Sequence, residues 1–500
     1  MKKIKVTTPE LIWYLLVFGF FLVWFTKIHP LTVFDVDDWA YIHYPRRAVP
    51  LPTYWNPTKI FPEIFMPFCG SLAAWLVYPV VGNYLRAMTL THGFVVALFL
   101  TVYIWSFTRM MRRLFHLSTT GTLFSSALFL VAHFVIFRTG QTGNTYLFYC
   151  WDLTCYYNYL IPAVVNASLV MCVIGNPAFS SFGKSASPEK TGLFLLVLFL
   201  AMFSNLPDSG ILAVYAGAVL LLKGLHLLKS GLNWRDFVRK NVFFLGILCV
   251  WMFCAALELL GGRAASLANP NTSLFSKLGT TAYGLATLVF RCRWVWLAVS
   301  ALIIGAALIL LNHSHRAVEE DRSYQELLPL CLISIAAVAV YTLVLCTAVD
   351  VSYISRSVDL CPLSFFVLLL VMLSFGYLLQ KMPKTLYIVP IALCVLFCEC
   401  NTLGVTYLES NYANLNPALC DEITQDLIDE ILLADEEGLT EITLEVPICD
   451  GTGNWPLMTK YLGPRMASSL LEHGLLRREI TVNTVASMEA NWRYSVPILE

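Results

Sequence analysis

Charged residues are scarce in this chain of 500 residues. Asp, Glu, Lys and Arg make up 13% of it, against about 25% in ordinary soluble proteins, while hydrophobic residues make up 58%. This composition excludes an ordinary water-soluble protein and indicates a membrane protein. The 33 basic residues are balanced by 33 acidic ones, so no excess of positive charge favours nucleic acid as a partner.

The sequence also lacks a disulfide framework, a signal-peptide cleavage site and an internal repeat. Many of the 15 cysteines lie inside apolar runs, where they pack as small core residues, although pairing of Cys150 with Cys155 or of Cys420 with Cys449 stays open. No small-residue cleavage site follows the basic N-terminus and the apolar run 11–25, so we expect an uncleaved first span. No period of 20 to 50 residues indicates a repeat array.

Long apolar runs are what the sequence has in abundance. About 20 consecutive apolar residues suffice for a helix to cross the hydrocarbon core of a bilayer. Eleven runs qualify as candidate spans: 11–25, 87–108, 121–137, 159–174, 191–205, 211–225, 242–260, 295–311, 327–349, 361–379 and 385–399. The expected fold is therefore an all-α polytopic membrane protein with about 11 transmembrane helices.

A twelfth apolar run, at 64–81, competes with these eleven. Counting it as a span would place Arg109, Arg112 and Arg113 outside, against the tendency of lysine and arginine to remain in the cytoplasm. We therefore expect helices that lie on or dip into the outer leaflet, within a long first outer loop at 26–86. The other basic residues then predict a cytoplasmic N-terminus and an extracytoplasmic C-terminus.

The composition changes to that of a soluble lobe after residue 400. Asn416 is followed directly by a proline, which is typical of a helix start, and Gly438 can end that helix. Residues 441–447 alternate polar and apolar side chains as a half-buried strand does, and a second helix and a second strand, at 479–485, follow. The sequence thus predicts a transmembrane bundle at 1–400 and a small extracytoplasmic α/β lobe at 401–500.

Three aspartates follow the first apolar run, in the stretch FDVDDWAYIHYP at 34–45. Asp35, Asp38 and Tyr41 share a face if this stretch is a helix, whereas Asp35 and Asp37 share one if it is extended. A carboxylate at this boundary can act as a general base toward a hydroxyl or coordinate a divalent cation. It can equally cap a helix in a solvated loop, which is the reading we favour for Asp35.

Further polar residues fall on the same outer side of the expected topology. Each one alone is typical of a snorkelling or helix-capping side chain, but together they offer arginines and lysines to a phosphate. These candidate substrate-binding residues are Tyr41, Lys59, Arg86, Asn158, Tyr159, Asp208, Arg263 and Arg356.

Two short motifs carry a resemblance to a known class. Asp-Asp-Trp-Ala-Tyr at 37–41, directly after the first span, and Tyr-Asn-Tyr at 157–159, at the head of a middle span, resemble motifs of bacterial families in the GT-C class of membrane glycosyltransferases. The resemblance implies a GT-C-like bundle in a bacterial plasma membrane. It also implies transfer of a sugar from a polyprenyl-phosphate donor to a surface glycan, a teichoic-acid-like polymer or a lipid acceptor.

The resemblance further implies roles for individual residues. Asp37 would be the catalytic base or a metal ligand, with Asp38 as the second acid and Mg²⁺ or Mn²⁺ as the cation if one is needed. We assign contacts to the donor phosphate to Arg263 and Arg356 on the basis of their side and charge. Two other hypotheses remain open: a transporter or lipid flippase, which would concentrate ionisable residues and broken helices near the bilayer midplane, and a non-catalytic membrane scaffold.

Overall fold

The structure is a computed structural model that describes most of the chain. The described residues are 6–44, 57–137, 148, 153–177, 188–230, 233–260, 273–313, 319–355, 358–399, 417–448 and 459–496. Helices make up about 85% of these described residues, so the fold is that of an all-α polytopic membrane protein with a small α/β lobe at its C-terminal end.

The helices and strands follow one another in a simple order. In the membrane part they are α1 (Thr8–Val23), α2 (Val36–Tyr41), α3 (Ile60–Leu72), α4 (Tyr84–Phe115), α5 (Thr119–Val135), α6 (Ile161–Gly175), α7 (Pro188–Met202), α8 (Leu206–Ser230), α9 (Trp234–Lys240), α10 (Val242–Leu260), α11 (Leu274–Arg291), α12 (Trp294–His313), α13 (Glu319–Ala348), α14 (Cys361–Lys381) and α15 (Ile388–Glu399). The lobe contains α16 (Pro417–Glu437), β1 (Glu441–Pro447), α17 (Thr459–Glu472), β2 (Thr481–Ser487) and α18 (Met488–Tyr494).

Eight helical stretches in the described part are long and apolar enough to cross a membrane, or nine if the bent pair α9 and α10 counts as one span. They are Thr8–Ile28, Ile60–Val81, Tyr84–Phe115, Leu153–Gly175, Leu206–Leu228, Trp294–His313, Ser323–Ala348 and Cys361–Lys381. The expected count of eleven is not confirmed. The runs at 121–137, 191–205 and 385–399 do form helices, but these have only 17, 15 and 12 residues.

The stretch Ile60–Val81, expected to lie on or dip into the outer leaflet, does not lie flat at the end of the bundle. It is a nearly continuous helical segment of 22 residues that includes a π-helical turn at Ala73–Val77. The rings of Phe61 and Phe65 lie 6.2 and 5.8 Å from that of Phe99, which is about 22 Å along α4 from its first residue. The segment therefore runs lengthwise along α4 instead of lying across the end of the bundle.

An ion pair between α1 and α4 defines one end of the bundle. Glu10, in the first turn of α1, accepts from Arg112 Nη1 near the end of α4 at 2.6 Å, so these two helices are antiparallel. We call this the Arg112 end. The opposite end, where α4 begins and α2 lies against the lobe, is called the Asp37 end.

The lobe is built around two parallel strands. β1 pairs with β2 in the register Glu441 with Thr481 to Pro447 with Ser487, and α17 connects them, as parallel strands require. The alternating strand predicted at 441–447 is confirmed, and the second strand begins two residues later than predicted. Gly438 follows α16 with a φ of +78°, the left-handed conformation that favours glycine at a helix end.

Candidate functional site

The aspartate motif forms a short helix, α2, with a reciprocal cap. Asp35 Oδ1 accepts from the backbone N–H groups of Asp37 at 2.6 Å and Asp38 at 2.9 Å. Asp38 Oδ2 in turn accepts from the backbone of Asp35 at 3.4 Å, so the two side chains close a capping box. Asp35 is thus a helix-capping residue, as expected.

Asp38 is fully buried and joins the start of α2 to the segment at 153–154. In addition to Asp35, its carboxylate accepts from the backbone N–H groups of Phe34 at 3.0 Å, Leu153 at 3.2 Å and Thr154 at 2.8 Å, and from the Thr154 hydroxyl at 2.8 Å. Burial, followed by the negative charge of Asp35, raises the pKa of Asp38 to about 7. A carboxylate has about four lone-pair positions, and the five donors together occupy all of them. Asp38 therefore positions α2 and has no free oxygen for a substrate.

Asp37 is the accessible acid of the motif. Its side chain is 52% exposed, and its Oδ1 accepts from Arg465 Nη1 of α17 at 3.0 Å. The same Nη1 donates to the backbone carbonyl of Val36 at 2.9 Å, which fixes the guanidinium beside α2. A carboxylate and a guanidinium, both partly exposed, therefore lie side by side where the membrane bundle meets the lobe.

Histidines and serines line the rest of this contact between α2 and α17. His43 Nδ1 lies 2.8 Å from Ser469 Oγ, and its Nε2 lies 3.1 Å from Ser468 Oγ. His473 Nδ1 lies 2.7 Å from the Tyr84 hydroxyl, and burial lowers the pKa of His473 to about 4. Burial also lowers the pKa of His43. His473 is therefore neutral at pH 7, and its hydrogen bond with Tyr84 joins two uncharged groups.

A chain of hydrogen bonds leads from Asp38 into the bundle. The Thr154 carbonyl accepts from Asn158 Nδ2 at 2.8 Å, and the Asn158 carbonyl accepts from Asn205 Nδ2. Asn205 Nδ2 also donates to Asp208 Oδ2 at 2.6 Å. Three of the predicted residues, Asp38, Asn158 and Asp208, are thus joined by one network.

Asp208 lies in the first turn of α8. Its backbone N–H donates to Asn205 Oδ1 at 2.7 Å. The side chain is completely buried, and no hydrogen-bond partner for its Oδ1 is found in the described part of the chain. Its charge interacts with Lys59 and Asp359, both also buried. We call Lys59, Asp208 and Asp359 the buried charge cluster.

The remaining predicted residues are dispersed. Arg86 is exposed on the first turn of α4, where its backbone N–H donates to Asn83 Oδ1 at 2.8 Å. Tyr41 is half-buried at the end of α2, and Tyr159 is half-buried in the π-helical turn Tyr156–Leu160. Arg263 and Arg356 lie outside the described residues, so their assignment to a donor phosphate stays a prediction.

The described residues do not fit a divalent cation at the aspartate motif. Both oxygens of Asp38 are occupied by hydrogen-bond donors, and Arg465 occupies one oxygen of Asp37. Within the described ranges, no group of three or more His, Cys, Asp or Glu side chains is placed to hold a metal ion.

Sequence reasoning missed the contribution of the lobe. Arg465, Ser468, Ser469 and His473 all come from α17 or the residue after it, and all contact α2, His43 or Tyr84. The polar spacing of three and four residues in α17 indicates a polar helix face, but a local pattern does not identify the partner of that face.

No protein-family model, no curated protein and no solved structure matches this chain.

Proposed function

We propose that this protein is a membrane glycosyltransferase whose site lies at the Asp37 end, where the bundle meets the lobe. In this proposal the Asp37 end faces the outside of a bacterial plasma membrane, with the N-terminus cytoplasmic and the C-terminus extracytoplasmic. The observation that carries the proposal is the exposed pair of Asp37 and Arg465, 3.0 Å apart. It combines an acceptor for a hydroxyl proton with a cation for a phosphate.

The proposed reaction is a transfer with inversion at the anomeric carbon. The acceptor hydroxyl loses its proton to Asp37 and its oxygen forms the new bond to the anomeric carbon of the sugar. The bond between that carbon and the phosphate oxygen breaks, and the polyprenyl phosphate leaves with the electron pair. Arg465 stabilises the negative charge that develops on the phosphate, as cationic groups do in phosphate-leaving reactions.

The other polar residues support this pair in the proposal. Asp38 fixes α2 through its hydrogen bonds to residues 153 and 154, so the Asp37 side chain is held at the surface of the site. Ser469 donates to the backbone carbonyl of Trp39 and binds α17 to α2, which brings Arg465 within reach. The catalytic groups are thus positioned by neutral or fully hydrogen-bonded neighbours.

A transfer assay on Asp37 tests the proposal directly. Purified protein in vesicles is given undecaprenyl-phosphate-linked glucose, galactose, mannose or N-acetylglucosamine, with membranes of a strain lacking the protein as the acceptor source. Asp37→Asn should reduce transfer by about 100-fold or more, because it removes the proton acceptor. Asp35→Asn is the matched control, since asparagine caps a helix nearly as well as aspartate. Full transfer by Asp37→Asn would exclude Asp37 as the base.

A transporter or lipid flippase is the second candidate, because the buried charge cluster lies inside the bundle. Ionisable groups buried inside a membrane protein commonly mark a pathway for ions, protons or solutes. A cavity beside Asp359 and Tyr341 has about 10 Å³, roughly the room for one water molecule, so this cavity does not hold a larger solute.

Asp208→Asn distinguishes the two candidates. A transporter should lose solute or lipid movement with Asp208→Asn and keep it with Asp37→Asn. A glycosyltransferase should show the larger loss of sugar transfer with Asp37→Asn. If the unaltered protein shows neither sugar transfer nor movement of a solute or lipid, the scaffold hypothesis is favoured.

A further inference from the structure

A cavity of about 1240 Å³ lies at the Arg112 end of the bundle, opposite the aspartate motif. Its walls come from the ends of α4 and α6, from α8, from the bend between α9 and α10, and from α13. Typical pockets for small ligands have volumes of about 300–1,000 Å³, so this cavity can hold a ligand larger than a metabolite.

Basic side chains from three helices line this cavity. Arg113 of α4, Lys223 of α8 and Lys240 of α9 all contribute, and the histidines His116 and His226 add further polar groups. Two acids, Asp236 and Glu326, also line it, so the permanent cations outnumber the acids among the described lining residues. This balance favours an anionic group over a cationic one.

Two of these cations, Arg113 and Lys223, keep N–H donors that a ligand can use. Arg113 donates to the Gly175 carbonyl at 3.5 Å, the single hydrogen bond that the described part shows for its five N–H donors. Lys223 Nζ donates to Asn241 Oδ1 at 2.9 Å and lies 5.1 Å from the centroid of the Phe244 ring. Each side chain is thus held at the cavity wall while it retains N–H groups for a ligand phosphate.

The rest of the wall is apolar. Val219 and Leu222 of α8, Phe244 of α10 and Leu327 and Leu330 of α13 all line the cavity. A small soluble phosphate compound would leave this apolar surface without a partner. A ligand with hydrocarbon chains would cover it, at a gain of about 25 cal/mol per Å² of apolar surface removed from water.

We propose that this cavity binds an anionic phospholipid. Its phosphate would accept hydrogen bonds from Arg113 and Lys223, and its acyl chains would lie on the apolar wall formed by α8, α10 and α13. The site is at the opposite end of the bundle from Asp37, so it does not depend on the proposed glycosyl transfer.

Native mass spectrometry of the full chain in detergent tests this proposal. The probes are phosphatidylglycerol, phosphatidylcholine with the same acyl chains, and glycerol 3-phosphate. We expect one molecule of phosphatidylglycerol to bind each protein at a lipid concentration at least tenfold lower than the concentration at which phosphatidylcholine binds. Equal binding of the two lipids would overturn the proposal. Displacement of phosphatidylglycerol by an equal concentration of glycerol 3-phosphate would also overturn it, because it would indicate a soluble phosphate ligand.

Variants separate the charge from the shape of the site. Arg113→Gln combined with Lys223→Gln should weaken phosphatidylglycerol binding at least tenfold, while Arg109→Gln, one turn earlier on α4 and not part of the cavity wall, should not. Val219→Trp keeps every cation but fills the apolar part, and it should also weaken binding at least tenfold. Val219→Trp therefore tests the site independently if the double variant does not fold. Unchanged binding in both the double variant and Val219→Trp would refute the site.

Discussion

Thr154 donates both its backbone N–H and its hydroxyl to Asp38 Oδ1, each at 2.8 Å, across 116 positions of the sequence. This double contact attaches the helix that carries Asp37 to the segment that leads into α6. It also explains why the second acid of the Asp-Asp pair is a positioning residue, since its oxygens are saturated by the protein itself.

Removing the Thr154 hydroxyl should have a measurable but limited effect on stability. Thr154→Val deletes one of five donors to Asp38 and keeps the backbone N–H, so we expect a loss of about 1 kcal/mol in the free energy of unfolding. Asp38→Asn places an amide NH₂ among N–H donors and should cost more, roughly 3 kcal/mol. Thermal unfolding in detergent measures both.

Thr101→Val is the matched control for Thr154. Among the described residues, the Thr101 hydroxyl donates only to the Ala97 carbonyl of its own helix, at 2.7 Å, so its removal should change stability by less than about 0.5 kcal/mol. A Thr154→Val protein as stable as the Thr101→Val protein would show that the hydroxyl does not support Asp38.

Arg465 should matter more for activity than for stability. Its ion pair with Asp37 is partly exposed, and exposed pairs contribute about 0–1 kcal/mol. Arg465→Gln should therefore lower the free energy of unfolding by no more than this amount. If Arg465 binds the donor phosphate as proposed, the same variant should lose at least tenfold in sugar transfer. Arg493→Gln is the control, because Arg493 forms a similarly exposed pair with Glu430 in the same lobe. Equal activity of the two variants would contradict a role for Arg465 in transfer.

The contact between His473 and Tyr84 should weaken in acid. The pKa of His473 is about 4 in the folded protein and about 6.5 in an unfolded chain, so between these values the unfolded state binds more protons. The stabilisation from neutral His473 is therefore complete above pH 6.5 and is lost as the pH falls toward 4, by on the order of 3 kcal/mol in total.

The measurement must isolate His473 from Asp38, whose pKa of about 7 gives the opposite dependence. Unfolding of the unaltered protein and of His473→Gln should be compared from pH 7.5 to 4.5. The stability difference between them should shrink as the pH falls. A difference that is constant with pH would mean that His473 does not titrate as burial predicts.

The ion pair between Glu10 and Arg112 should respond asymmetrically to its two deletions. The Glu10 side chain is 1% exposed and that of Arg112 is 21% exposed. Arg112→Gln leaves a buried carboxylate without its cation and should cost about 3–5 kcal/mol. Glu10→Gln leaves an arginine that reaches solvent, so its cost should be smaller. Equal losses in thermal unfolding experiments would show that Glu10 is less buried than the fold indicates.

Local patterns in the sequence were sufficient for several features. The scarcity of charge and the long apolar runs determined that this is a helical membrane protein, because only helices can satisfy their backbone groups in lipid over such runs. Asp35 was identified as a helix cap, and the strand at 441–447 was predicted from alternation, because caps and strand faces depend on neighbouring residues.

Only the tertiary structure decided which acids are accessible and which residues meet. Asp37 and Asp38 are adjacent in sequence, yet Asp37 is exposed and Asp38 is buried by residues 153 and 154. Arg465 lies 428 positions from Asp37, and no periodicity connects them. The number of helices long enough to span also depended on where each helix ends. These properties arise from packing between distant segments, and packing is determined by the whole chain, whereas sequence patterns report on a few neighbouring residues.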